Sequence, residues 1–327
     1  MKKKISIPFV NAHTHAAMVY FRGLAEDLPL KQWLEQYIWP MEAKHVNSQF
    51  VYEQTKLAIK EMKDNGIRAL ADMYFFENEV AQACEEAGMY AFVWETLLDF
   101  PTPSVQTPQQ WMQYIKNLFE KYKNSKYINV CVAPHSIYAT AQDVLIESKE
   151  LSRNYNALYH IHLTESKFEF DECITKHGKT PVKYMYDLWL LDSRTLLAHC
   201  VRLTDEDIEI LAQTQVSIAH CPLSNLKLGS GIIPLKKLID KWVNVCLGTD
   251  WAASSNRLDI REAGKFCALV QKWINLDSSF LTAKQIVEMM SVNGMKALGM
   301  QSIEGKTIDD VQKMIDEEPN FNYLYEL

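Results

Sequence analysis

The 327-residue chain has no Cys-x-x-Cys pair; its seven cysteines, at 84, 131, 173, 200, 221, 246 and 267, are scattered singly. That spacing argues against a disulfide framework and a thiolate zinc site, and it suits a reducing cytoplasm best. No apolar stretch reaches the ~18 to 20 residues of a membrane span, and no stretch resembles a signal peptide. A soluble cytoplasmic protein without a membrane partner is expected. Basic clusters are equally scarce. Lys2-Lys3-Lys4 reads as a solvated terminus, the formal charge is −7 and the pI is near 5.8. Polyanion affinity needs clustered Lys and Arg, so nucleic acid is not an expected partner. Low-complexity linkers and strong repeats are also missing, which leaves one large domain as the default.

What is present is a steady alternation. Short β-rich runs at 5–10, 67–71, 90–94, 128–133, 157–162, 195–199, 216–219 and 243–247 are separated by segments with helical period. One such segment runs Val51-Thr55-Ala58-Ile59-Met62 and stops before Asn65-Gly66; another, Ile208-Leu211-Ala212, opens at Thr204-Asp205-Glu206-Asp207. Eight βα units imply an α/β fold, a (β/α)8 TIM-like barrel, which commonly takes ~250 residues as one domain. The 48% hydrophobic content can fill such a barrel and back its helices. Two long helices are expected over 258–274 and 282–298, and a short one over 308–315.

The ends of these runs carry the chemistry. His13 and His15 close the first, His162 and Glu165 the fifth, His199 the sixth; His220 follows the seventh and Asp250 the eighth. Alternate residues of a strand face one side, so His13 and His15 can present two imidazoles to one ion. Barrel catalysis sits at the carboxyl ends of the strands. Three imidazoles and a carboxylate would hold one divalent ion and leave a place for water. Asp250 is a candidate ligand and base, and Glu165 a candidate proton shuttle. Charge compensation at a helix N-terminus is the bland alternative for Glu165.

The string Asn11-Ala12-His13-Thr14-His15-Ala16-Ala17-Met18, with Arg22-Gly23-Leu24-Ala25-Glu26-Asp27-Leu28, Trp33-Leu34 and Pro40-Met41-Glu42, resembles the amidohydrolase superfamily. More narrowly, it is similar to the branch of 5′-methylthioadenosine/S-adenosylhomocysteine deaminases and triazine chlorohydrolases. His162-Leu163-Thr164-Glu165, His199-Cys200, the run from His220 to Leu228 and Gly248-Thr249-Asp250 continue the match in order, over about residues 5–300. The resemblance implies that His13, His15, His162 and Asp250 bind one divalent ion, zinc first and iron(II) second. It implies that His199 orients or polarises the hydrolytic water and that Glu165 protonates a ring nitrogen. It further gives Glu42 to the ribose hydroxyls, and Trp33 and His135 to the substrate pocket. The substrate implied is a small nucleoside of adenosine type, methylthioadenosine, adenosine or S-adenosylhomocysteine, deaminated to the inosine analogue. Guanine or a triazine is the alternative ring, and a catalytically silent barrel scaffold is the alternative class.

Outer residues keep bland readings beside these. Trp33 suits the core as well as a pocket, Glu42 could cap a helix starting near Asn47, and His220 suits a structural turn. His45, His160 and His177 have no motif support and read as structural. Family members carry a small β-sandwich beside the barrel. Here the expectation is a barrel over 1–300 and a C-terminal tail over 301–327 packed on or beside it. An uncovered apolar flank would favour a homo-oligomer. No arginine lies between Gly88 and Ser152, which disfavours an amino-acid tail on the substrate, and Trp251 stands where the family tends to have glycine.

Overall fold

A computed structural model describes residues 7–24, 27–28 and 30–325. The Lys2–Lys4 run, Ile5, Ala25 and Glu26 lie outside the described residues. The strands are β1 Phe9–Thr14, β2 Ile67–Tyr74, β3 Tyr90–Leu97, β4 Ile128–Val130, β5 Ala133–Pro134, β6 Tyr159–Leu163, β7 Thr195–His199, β8 Ser217–His220 and β9 Asn244–Leu247. All of these pair in parallel, in the orders β1-β2-β3-β4, with β5 also on β3, and β6-β7-β8-β9. Three bridges join the halves into a closed ring, Val132 with Tyr159 and Ser136 with His162 on one side and Thr14 with Asp250 on the other. Closure of an eight-stave parallel barrel is thus achieved with nine strands, because the fourth stave is split. The single run expected over 128–133 breaks after Val130, because Val132 turns to the next stave, donating to the Leu158 carbonyl and accepting from His160 N, before β5 resumes pairing with β3.

The seam between the last and first staves is clamped by side chains. Asn11 Nδ2 donates to Thr249 Oγ1 at 2.7 Å, and Thr249 N donates to Asn11 Oδ1 at 2.9 Å. Asp250 N donates to the His13 carbonyl at 3.0 Å, so the barrel closes at the residues expected to carry chemistry. Gly248 permits that closeness: a Cβ there would lie 2.8 Å from the His13 carbonyl oxygen and 2.9 Å from His13 Cβ. Gly248→Ala should destabilise the fold by about 1–3 kcal/mol through overpacking. Denaturant midpoints will measure this, and an unchanged midpoint would show that the seam yields freely.

Helices form where period and caps agree. Ser48–Asp64 buries Val51, Thr55, Ala58, Ile59 and Met62 and is capped by Asn47, whose side chain accepts from Phe50 N. Asp205–Thr214 begins with a reciprocal Thr204–Asp207 capping box. The one helix expected over 282–298 is two, Ala283–Met290 and Val292–Ala297, turning at Ser291 with φ −135° and ψ −88°. The turn lets Gly294 press against β1, where a Cβ would lie 2.7 Å from Val10 Cβ. Beyond Met300 come a small antiparallel hairpin, β10 Ser302–Ile303 with β11 Lys306–Thr307, and the helix Ile308–Asp316, which buries Val311 and Ile315. On the outside, Phe266, Leu269 and Trp273 of the Ile260–Asn275 helix, and Leu276 after it, are exposed. Among the described residues no helix is long and apolar enough to cross a membrane.

Candidate active site

His13, His15, His162, His199 and Asp250 meet at the carboxyl rim of the barrel, all buried. Overlapping sets of ligand atoms, His13-His162-His199, His13-His15-Asp250 and Glu165-His199-Asp250, lie within 4.8 Å of one another. Asp250 Oδ1 is 3.2 Å from His15 Nε2 and 3.5 Å from His13 Nε2. Each imidazole is tied by its other nitrogen. His15 Nδ1 donates to the Met73 carbonyl, His162 Nδ1 to the His135 carbonyl at 2.8 Å, and His199 Nδ1 to Asn225 Oδ1 at 2.8 Å. His13 Nδ1 meets His160 Nε2 at 2.8 Å.

The consequence is that four Nε2 atoms and Asp250 Oδ1 share one small space without a hydrogen-bond partner. A buried polar atom left unpaired costs about 1–3 kcal/mol, so five at one point call for a shared partner. A divalent cation satisfies bare imidazole nitrogens and a carboxylate together, and the donor set suits zinc.

Electrostatics separate the histidines. Burial pushes His13 down to about 4 and His162 well below the usual imidazole range. Burial also opposes the His199 imidazolium, yet the Glu165 and Asp250 carboxylates and the Asn225 contact outweigh it and raise its pKa. Glu165 Oε2 stands 3.8 Å from His199 Nε2, and burial raises the Glu165 carboxyl despite the His199 charge. Asp250 is opposed by burial, but His13 and His15 beside it hold its carboxyl well below the ordinary range. Backbone strain collects here too: Thr164, His199 and Asp250 adopt φ of 52°, 73° and 58°, a left-handed region that β-branched or bulky residues rarely enter.

Above the cluster opens a cavity of about 610 Å³, reached by His15 from below and lined by Glu42, Tyr74, His135, Tyr138 and Trp251. Glu42 belongs to the Trp39–His45 helix, and its Oε1 accepts from Tyr74 Oη at 2.7 Å. Asn47, not Glu42, caps the next helix. His135 follows β5 and bonds Ser136 Oγ through Nδ1 at 3.0 Å. Trp33 is 3% exposed, donates from Nε1 to the Leu24 carbonyl at 3.0 Å and packs behind Trp251, their rings 5.2 Å apart, the core position that its spacing also allowed. The bulky residue after Asp250 therefore forms the wall, and Trp33 backs it.

Several residues that hold the site's segments in place had no motif to announce them. Glu169 accepts from Thr164 N at 3.0 Å and Glu165 N at 2.9 Å, and so does the helix-start work that Glu165 was free to do. Asp72, at the end of β2, accepts from Ala16 N at 2.5 Å and holds the segment after His15. A carboxylate inside an otherwise apolar strand was the available signal. His160 was visible as the first member of a second His-x-His.

The amidohydrolase family description matches residues 5–305. A 5-methylthioadenosine/S-adenosylhomocysteine deaminase of Thermodesulfovibrio yellowstonii is 43% identical over 323 residues, 98% of this chain and 74% of that protein. This chain belongs to the amidohydrolase family. A 5′-deoxyadenosine deaminase of Methanocaldococcus jannaschii is 38% identical to this amidohydrolase over 93% of the chain and 72% of the relative. The solved adenosine deaminase of Xanthomonas campestris with bound zinc superposes with a TM-score of 0.89 at 32% identity, over 92% of this chain and 68% of that one.

The buried acids give the metal-free protein a pH signature. Burial raises Glu95 and Glu169 to about 7 and Asp72 to about 6. Their folded values exceed the unfolded ones, so their stabilisation is present at low pH and is lost as pH rises through about 6 to 7. His13, at about 4, and His135 and His220, at about 3, are lowered by burial and act oppositely below 6.5. Above about pH 6.5 the carboxyls dominate: Glu42, raised to about 7 by burial, and His199, whose pKa is raised, change in the same direction, while Lys149, lowered to about 8 by burial, opposes them mainly above about pH 8. Thermal midpoints in chelator should therefore fall between about pH 6.5 and about pH 8; a rise would contradict the assignment.

Proposed function

We propose that this amidohydrolase is a metal-dependent hydrolytic deaminase of an adenosine-type nucleoside, yielding the inosine analogue and ammonia. The observation that carries this reading is the convergence of five unpartnered buried atoms beside Glu165, beneath a cavity that presents Glu42. The three relatives named for deaminating adenosine-type nucleosides support the ring and the reaction.

His13, His15, His162 and Asp250 would hold one divalent ion, with zinc the first choice. When bound, such an ion lowers the pKa of a water from 15.7 to about 7 and supplies the nucleophile at neutral pH. The water oxygen adds to C6; the proton that Asp250 takes from the water passes to the amino group, the C6–amino bond breaks and ammonia departs, and the proton left on the oxygen restores Glu165 as the C6 carbonyl forms. Glu165, whose carboxyl is raised by burial, delivers its proton to a ring nitrogen as C6 is attacked. Asp250 accepts a proton from the water, and His199, as the imidazolium that the carboxylates beside it favour, donates from Nε2 toward the oxygen that develops charge. Glu42 accepts from the ribose hydroxyls, held in place by Tyr74, and His135 touches the substrate from the cavity wall.

The test is direct: the zinc-loaded chain is offered adenosine, methylthioadenosine and S-adenosylhomocysteine while the adenine-to-hypoxanthine absorbance change is followed. Conversion is expected; a metal-loaded protein silent on all three but active on guanine would overturn the nucleoside reading. Glu42→Gln should lower kcat/KM for the nucleoside roughly 10- to 100-fold, the cost of a hydrogen bond to a charged group. Unaltered kinetics would remove ribose recognition from Glu42.

A further inference from the structure

We infer that His160 is a positioning residue that fixes the tautomer of His13 and so leaves His13 Nε2 bare for the ion; the inference rests on the metal-centre reading above. His160 lies on β6 two residues before His162, so both side chains face the barrel interior. Its Nδ1 is 2.9 Å from the carbonyl oxygen of Leu196, its register partner on β7. A carbonyl only accepts, so His160 Nδ1 carries the hydrogen. In the neutral ring the lone pair then resides on Nε2, 2.8 Å from His13 Nδ1. His13 must therefore donate from Nδ1, and its remaining nitrogen is a bare acceptor facing Asp250.

The arrangement is sealed. His160 is 0% exposed, and the ring of fully buried Trp94 packs 4.8 Å from it, centroid to centroid. The opposite relay, with His160 donating to His13, would need either a bare Nδ1 lone pair aimed at the Leu196 carbonyl oxygen or an imidazolium buried without a counter-charge between two rings and a carbonyl. Neither arrangement is satisfied by these neighbours. The other three imidazoles are set by Met73, His135 and Asn225 oxygens, which fix a tautomer in one step. His13 takes two, and the direction of the relay is decided at Leu196. His160 does not line the cavity, so it acts through His13 and not on substrate.

Long-range proton–nitrogen spectra of the 15N-histidine-labelled parent read the tautomers directly. Hydrogen on Nδ1 of both His160 and His13 is expected, whereas hydrogen on His160 Nε2 would overturn the inference. Substitution gives an independent readout. His160→Gln retains an acceptor for His13 and a donor for Leu196, but His160→Leu retains neither. Zinc affinity by chelator competition should drop about 10- to 100-fold in His160→Leu, the range seen for partners of metal ligands, and His160→Gln should bind close to the parent. A His160→Leu protein that folds, has a lower metal-free thermal midpoint and binds zinc as the parent does would reduce His160 to packing and overturn the inference. A parent that binds no divalent ion would overturn the metal centre itself, together with what rests on it.

Discussion

A Glu165→Gln exchange is expected to lower turnover about 100- to 10,000-fold, the usual contribution of a positioned proton donor, while metal content stays at the parent level. The amide fills the same space and keeps a hydrogen-bonding tip, but it cannot surrender a proton to the ring. Nor does the exchange disturb the loop, because Glu169 holds the Thr164 and Glu165 amides. Burial raises the Glu165 carboxyl, the direction a proton donor needs, and the neighbouring His199 opposes that rise. One alternative is built into the geometry: Glu165, His199 and Asp250 also lie close enough to form a ligand set of their own. Metal analysis of the variant decides between them. Zinc lost together with turnover would make Glu165 a ligand; zinc retained with turnover lost leaves it as the proton donor.

How much of this was legible in the sequence follows from what each signal depends on. The strand at 195–199 is bounded as expected because its apolar run ends at a residue with positive φ, a break that stops pairing. The β1 strand runs on through His13 to Thr14, past the end of its apolar run, since it is the clamp with Thr249 and Asp250 and not hydrophobicity that holds those residues in line. The split of the fourth stave and the Ser291 turn depend on neighbours distant in sequence, which a local period does not contain. The residues gathered around one centre were readable because each ends a strand, and a closed barrel brings strand ends together whatever their separation in the chain. Trp33 was ambiguous for the converse reason. Its Leu30-Trp33-Leu34 spacing gives a face but not the partner, and the partner turned out to be Trp251. His160 reads as structural because His162 alone sits in the recognised motif, although the same His-x-His spacing that singles out His13 and His15 applies to both.

Asp250→Asn is expected to be the most damaging single change that leaves the fold standing. Asparagine matches aspartate in size and tolerates a φ of 58° as well as any side chain but glycine. The backbone donation to His13 and the bridge to Thr14 make no use of the carboxylate, so the barrel seam should close as before. What disappears is the single anion of the ligand set, whose carboxyl is held ionised by His13 and His15. Without it the bare imidazole nitrogens face a cation with no compensating charge, and the attacking water loses its base. Several kcal/mol of transition-state stabilisation depend on the ion, and each 1.36 kcal/mol is tenfold in rate, so turnover should fall at least about 1000-fold with a parallel loss of zinc. Thermal unfolding separates fold from function: the metal-free midpoint should match the metal-free parent, while the rise on adding zinc, about 4 kcal/mol at a thousandfold excess over the parent Kd, should shrink or vanish. A variant that retains both zinc and turnover would move the base and the anionic ligand elsewhere, and Glu165, as the remaining carboxylate beside His199, would be the residue to examine next.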